Sequence, residues 1–210
     1  MDRRSAIKNI SMGVGYTLAA PTLMSIFQSC NKEPQWVPIY LTAEQAAVIT
    51  KLVDIILPAN GDIPGAVAVG VPQFIDLFYG EVYAPKAKGE FDLGFQAFKT
   101  KFLAGGEPAD ISDAKPEALE GIIKPYFNIT KEDRIALQQK LAEGYSDSEE
   151  PYVYDTDTAA ANFLIGLRGA TIWGWRTSEQ VGENVLTYEP IPGVWQACIP
   201  VEEVGRPYSL

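Results

Sequence analysis

The chain has 210 residues, of which 47% are hydrophobic and 21% charged, a composition typical of a globular protein rather than a disordered one. Acidic residues outnumber basic ones by 27 to 17, and such a surface disfavours nucleic-acid binding because it repels phosphate. The sequence contains no histidine and two cysteines, which excludes a Ser-His-Asp triad and a zinc or iron–sulfur site built from this chain alone.

Residues 1–29 have the layout of a bacterial signal peptide, with a basic start, an apolar stretch and a cysteine directly after them. Arg3 and Arg4 are followed by Ser, Ala, Ile and Lys, which resembles a twin-arginine export signal. A general secretory signal with a chance arginine pair is the alternative. The stretch "SIFQSC" resembles a lipobox and predicts lipidation of Cys30, the alternative being an uncleaved signal anchor. On either interpretation we expect a membrane anchor on the periplasmic side, with residues 30–40 as a polar tether.

The body, residues 41–210, is predicted to be a single mainly α domain: an irregular bundle of five or six helices with long Gly/Pro-rich loops and an irregular C-terminal segment. Its first helix begins after Thr42, a favourable N-cap residue, and ends before Pro58. The loop "ANGDIPGAVAVGVP" follows, and its length is unusual for a connection without a role. A second helix begins near Pro72, in the run "QFIDLFYGEVY".

Phenylalanines spaced by four, three and four residues predict the buried face of a third helix, and the set comprises Phe91, Phe95, Phe98 and Phe102. A short helix is predicted in "KPEALEGIIKPYF", a longer one from near Thr130 to Gly144, and a buried one in "TAAANFLIGLRGATIWGWR". Beyond Arg176, glycines and prolines predict irregular structure, although "NVLTYE" is compatible with a strand.

Few motifs carry chemistry. "DTD" at residues 155–157 offers carboxylates for calcium but lacks the glycine and the distant glutamate of an EF-hand loop, so helix capping by Thr156 or Asp157 is favoured. Cys198 has apolar neighbours, which favours a buried, inert thiol. Neither a dinucleotide-binding glycine pattern nor a Walker loop occurs in the sequence. We therefore expect no cofactor and no metal in this chain.

Three aspartates, Asp54, Asp62 and Asp76, lie in or near the Gly/Pro-rich loop. Acid–base catalysis by such carboxylates needs a partner base, a nucleophile or a metal-ligand set, and the sequence supplies none of these. Helix capping or ion pairing is the favoured role. We therefore predict no catalytic residue in this chain.

The stretch "IWGWR" contains Trp173, Trp175 and Arg176, which are residue types enriched at protein interfaces. Tryptophan also fills hydrophobic cores. The sequence leaves both interpretations open, a partner interface and core packing.

Several stretches are similar to one known family: "LTAEQ", "LVDIILP", "IPGAVAVGVPQFIDLF" and "FLIGLRGATIWGWRTSEQVGENVLTYEPIPG", between about Leu41 and Gly193. They resemble the gluconate 2-dehydrogenase subunit 3 family, the small subunits of membrane-associated flavin dehydrogenases. The resemblance implies a helical, non-catalytic subunit that pairs with an FAD-containing large subunit of the glucose-methanol-choline (GMC) type, often with a c-type cytochrome.

In several members of that family the small subunit carries the twin-arginine signal for both proteins. The resemblance therefore implies an escort and anchoring role in a periplasmic dehydrogenase of sugars, sugar acids, polyols or glycosides. Two alternatives come from other classes. One is a stand-alone lipoprotein that binds a small sugar through tryptophan and tyrosine side chains, and the other is direct catalysis by Asp54 and Asp76.

Overall fold

The computed structural model describes residues 36–106, 108–189, 191, 193 and 198–209. The chain divides into two compact units, Met1–Val37 and Pro38–Leu210, and the fold below is that of the second unit. The predicted export residues Arg3 and Arg4 and the predicted lipidation site Cys30 lie outside the described residues. Their roles remain predictions from the sequence.

The mainly α prediction is confirmed, since the described residues form helices and no strand. Six helices have eleven residues or more, two further helices are short, and a 3-10 turn lies at Ile111–Asp113. The helices are α1 Ala43–Ile56, α2 Val71–Glu81, α3 Pro85–Leu103, α4 Pro116–Phe127, α5 Lys131–Ala142, α6 Thr156–Arg176, α7 Glu179–Asn184 and α8 Val201–Val204.

Helix α6 is the centre of the bundle and packs against each of the helices α1 to α5. Its closest neighbour is α3, because Gly94 lets the two backbones approach. A Cβ atom at Gly94 would lie 2.7 Å from Cβ of Phe163 and 2.9 Å from the carbonyl oxygen of Ala159. The predicted phenylalanine stripe is confirmed at this contact, where Phe95 and Phe98 are completely buried. Each such ring stabilises the fold by about 1.5–3 kcal/mol.

Polar contacts join the first three helices around Asp92 of α3. Its Oδ1 accepts a hydrogen bond of 2.8 Å from Nε2 of Gln45 in α1, and its Oδ2 accepts one of 2.9 Å from the hydroxyl of Tyr79 in α2. Burial, followed by this hydrogen bond and the charge of Asp92, raises the pKa of Tyr79 to about 12. Gln45 also completes the predicted cap of α1, because its side chain and that of Thr42 form a capping box.

The cap of α6 lies one residue before the predicted position. Asp155, rather than Thr156 or Asp157, is the N-cap residue, and its carboxylate accepts hydrogen bonds from the backbone N–H groups of Asp157 and Thr158. The hydroxyl of Thr158 also donates to Asp155 and, as the largest cause, holds the pKa of that carboxyl below its usual value. The "DTD" stretch therefore serves as a helix cap.

In the C-terminal region the possible strand is not formed, and the expectation for Cys198 is wrong. The stretch "NVLTYE" forms only one isolated bridge, Thr187 with Tyr208, rather than a strand. Cys198 is exposed, not buried, because it lies in a segment without regular structure just before α8, where the neighbouring Ile199 is also exposed.

Candidate partner interface

Two distant stretches of the chain meet at one end of the bundle: the Gly/Pro-rich loop with α2, and the last turns of α6. The indole N–H of Trp175 donates a hydrogen bond of 2.8 Å to the carbonyl oxygen of Pro64, which is 111 residues earlier in the chain. Gly174 faces α2, and a Cβ atom there would lie 2.7 Å from Cδ1 of Phe74. In the sequence, these stretches are "IPGAVAVGVPQFIDLF" and "GATIWGWR".

The loop between α1 and α2 holds one compact conformation. Ala66 is completely buried, and its N–H donates to the carbonyl oxygen of Leu57 at 2.9 Å. A Cβ atom at Gly65 would lie 2.7 Å from the backbone nitrogen of Ala59, so this position requires glycine. Gly70 precedes α2 with a φ of 78°, a left-handed conformation that glycine adopts without strain. The loop therefore gives Trp175 a fixed acceptor.

Trp173 lies across the side of α2. Its ring is edge-on to those of Phe74 and Phe78, with centroid distances of 5.2 Å to each, a geometry that the ring quadrupoles favour. The side chain is nevertheless 44% exposed. Trp173 is thus a rigid aromatic residue that is held by the protein and still presented to the outside.

Two further exposed apolar side chains lie on α2 or directly after it. Leu77 is 47% exposed and Val82 is 59% exposed, and both lie within one turn of the phenylalanines that carry Trp173. Tyr40 covers Gly80 on the same helix. We call these four side chains, Tyr40, Leu77, Val82 and Trp173, the α2 face. Exposed apolar side chains that are grouped on one element are candidates for an interaction site.

A small groove continues this surface along α6. It has a volume of about 150 Å³, and its lining includes Tyr83, Phe91, Phe163 and Gly166. The ring of Tyr83 links it to the α2 face, since its centroid lies 5.4 Å from that of Phe78. Burial raises the pKa of Tyr83, so its ring enters the groove as a neutral, mainly apolar surface.

The three residues of the predicted interface cluster therefore have different surroundings. Trp173 is exposed at the surface. Arg176, one turn later on the same side of α6, is half-buried. Trp175 points to the loop and uses its indole N–H within the chain. The packing interpretation therefore applies to Trp175, whereas the surface position of Trp173 leaves its role at a partner interface a prediction.

The three aspartates in or near the Gly/Pro-rich loop also differ from one another. Asp54 and Asp62 are exposed. Asp76 is only 1% exposed, and its carboxylate accepts hydrogen bonds from the backbone N–H groups of Ile39, Tyr40 and Leu41. This role of Asp76 was not predicted from the sequence. The available signal was an acidic residue within the apolar run "FIDLF".

A larger cavity of about 540 Å³ lies next to the small groove along α6 and shares Glu90 and Asn162 with its lining, which also includes Lys86, Tyr145 and Tyr154. Several of its polar groups already have partners within the chain. The ammonium of Lys86 donates to the carbonyl oxygens of Gly144 and Ser146 at 3.0 Å each, and the hydroxyl of Tyr154 donates to that of Leu141. These internal hydrogen bonds leave fewer polar groups of the cavity free to bind a sugar.

Within the described ranges, no cluster of three metal-ligating side chains occurs. Among the same residues, no helix combines the length and the apolar character that are needed to cross a membrane.

The described residues thus define a mainly helical protein with exposed apolar side chains on and next to α2. The chain belongs to the gluconate 2-dehydrogenase subunit 3 family, because the family profile matches residues 43–193, most of its length. It is therefore a small subunit of a dehydrogenase complex. Comparison with curated proteins and with solved structures finds no match.

Proposed function

We propose that this chain is the non-catalytic small subunit of a periplasmic, FAD-dependent dehydrogenase of sugars, polyols or glycosides. It binds a GMC-type large subunit, which holds the FAD, through the α2 face. One observation carries this proposal. The two stretches that resemble the family most distinctly converge on Trp173 and leave it 44% exposed.

The α2 face has the physical properties of an interface centre. Interface energy is concentrated in a few aromatic and arginine residues that are packed into a rigid surround. Trp173 is held by Phe74 and Phe78, so it loses little side-chain freedom when a partner covers it. Arg176 lies one turn away and supplies a charge at the edge of the same surface.

A substitution at Trp173 tests the interface. We expect Trp173→Ala to weaken binding of the flavin-containing large subunit by roughly 30-fold, the effect of losing about 2 kcal/mol at an interface centre. The matched control is Ile135→Ala on α5, because Ile135 is 46% exposed, close to the exposure of Trp173, and α5 contributes no buried residue. If both variants kept their thermal midpoints and bound the large subunit equally well, the interface would lie elsewhere on the chain.

Export and anchoring form the second part of the proposal. Arg3 and Arg4 would direct the chain to the twin-arginine route, which transports folded proteins together with a bound partner, and a lipid on Cys30 would hold the complex at a membrane. We expect Arg3→Lys with Arg4→Lys to leave both subunits in the cytoplasm, and Cys30→Ser to release the complex from membranes. Continued export of active flavoprotein with the double variant would refute the escort role.

Electron transfer lies outside this chain in the proposal. The FAD of the large subunit accepts the electrons of the substrate, and a c-type cytochrome is the proposed acceptor. The chain contributes binding and position only. Turnover by the purified small subunit alone would contradict this division of roles.

A further inference from the structure

We propose that Asp76 is a positioning residue for the partner interface. Its carboxylate holds residues 39–41 against α2 and thereby places Tyr40 beside Leu77 in the α2 face. As far as the partner is concerned, this inference rests on the proposed function. The arrangement of residues 39–41 can be tested without the partner.

The carboxylate of Asp76 binds three consecutive backbone amides. Its Oδ2 accepts from the N–H of Ile39 at 2.8 Å, and its Oδ1 accepts from those of Tyr40 at 3.0 Å and Leu41 at 2.7 Å. Successive backbone N–H groups that converge in this way form a binding site for an anion. Here a side chain from α2 fills that site, and within the described residues no lysine or arginine forms an ion pair with it.

This arrangement ties residues 39 and 40 to α2 mainly through one side chain, whereas Leu41, which is 5% exposed, is also held by burial in the core. Asp76 is only 1% exposed, and hydrogen bonds to an ionised acceptor are about twice as strong as neutral ones. Ile39 itself is 70% exposed, so apolar burial contributes little at the start of this segment. Asp76 therefore supplies most of the attachment of residue 39 to α2.

The segment then places Tyr40 at a defined point on α2. The ring covers Gly80, where a Cβ atom would lie 2.1 Å from two of its carbons, and the hydroxyl donates a hydrogen bond to Glu81. Gly80 lies one turn after Leu77 on the same side of the helix. Tyr40 is 42% exposed, so residues 39–41 add a second aromatic ring, besides that of Trp173, to the α2 face.

The first test measures amide hydrogen exchange in the full chain. We expect Asp76→Asn to accelerate exchange at residues 39–41 at least about tenfold, while the amides of α3 and α6 keep their protection. Asparagine keeps the size of the side chain but removes one acceptor oxygen and the charge. Asp54→Asn is the control, because Asp54 is an exposed carboxylate on α1. Unchanged exchange at residues 39–41 would overturn the inference.

The second test measures the Kd for the large subunit, identified by its flavin absorbance, in a double-mutant cycle. If Asp76 acts through Tyr40, the double variant Asp76→Asn with Tyr40→Ala binds no more weakly than Tyr40→Ala alone. The inference would be overturned if the losses of affinity from the two substitutions were additive. It would also be overturned if Asp76→Asn accelerated amide exchange at residues 39–41 but left the Kd unchanged. If Asp76→Asn does not fold, Gly80→Ala replaces it. This variant displaces the ring of Tyr40, leaves the carboxylate of Asp76 intact, and tests whether the position of Tyr40 affects the Kd.

Trp173→Ala separates the two proposals. If it weakens the complex and Asp76→Asn does not, the proposed function stands and the inference fails. If neither variant affects the complex, the α2 face is not the interface, and both fail.

Discussion

The same substitution at two glycines of α6 is expected to have opposite effects on stability. Gly169 is exposed, and a Cβ atom there would meet nothing within 4 Å. Gly174 is buried, and a Cβ atom there would lie 2.7 Å from Cδ1 of Phe74. Alanine at either position reduces the freedom of the unfolded chain by the same amount. The comparison of Gly169→Ala with Gly174→Ala therefore isolates the contact with Phe74.

The magnitudes follow from helix propensity and packing. Alanine is about 1 kcal/mol more favourable than glycine inside a helix, so Gly169→Ala should stabilise the free subunit by up to that amount, a rise in Tm of about 2–4 °C. At Gly174 the same gain is opposed by overpacking, which costs about 1–3 kcal/mol. We expect a net loss of up to about 2 kcal/mol, because the ring of Phe74 must move away from Trp173.

Urea unfolding followed by circular dichroism measures both effects. The slope with denaturant should stay constant across the two variants, so that midpoints report free energies. Tryptophan fluorescence should change for Gly174→Ala and stay constant for Gly169→Ala. If both variants were stabilised equally, α6 would not lie against Phe74, and the support for Trp173 described above would be wrong.

Two further predictions concern pH. The lowered pKa of Asp155 means that the stabilisation from its carboxylate is complete above the ordinary pKa of 3.8 and is lost as pH falls through the lowered folded-state pKa. Asp155→Asn should therefore be less stable than the wild type at neutral pH and equally stable in strong acid. Urea midpoints measured across the acid range will test this. The raised pKa of Tyr79 means that the stabilisation from its neutral hydroxyl is complete below pH 10 and is lost as pH rises towards about 12. Tyr79→Phe should remove this alkaline loss, and an unchanged alkaline profile would contradict the part-buried contact with Asp92.

The sequence predicted the parts of the fold that depend on local physics. The intervals between Phe95, Phe98 and Phe102 identified the buried side of α3 because helix geometry alone brings such residues to one side. The cap at Thr42 was predictable for the same reason, since its partner Gln45 is three residues away. The cap of α6 was misplaced by one residue because neighbouring residues 155–157 are all suitable capping types.

The candidate interface depends on contacts between distant residues, which periodicity does not encode. The sequence placed Trp173 and Trp175 in one cluster, but only the position of Pro64 separates their roles. Asp76 was considered with other acids near the loop, whereas its partners are backbone amides of residues 39–41. The acidic residue within "FIDLF" indicated a buried carboxylate, but backbone donors carry no side-chain signal, so the sequence did not identify its partners.

The central claim is that this chain carries no redox group of its own and binds a flavoprotein that does. The most direct measurement is the flavin content of the native preparation: the chain is purified from membranes, and FAD and both polypeptides are quantified. We expect FAD in equimolar amount with this chain, all of it on the larger polypeptide, and a reduced amount of FAD in the preparation with Trp173→Ala. A colourless chain purified without a partner, or FAD bound to the isolated chain, would contradict it.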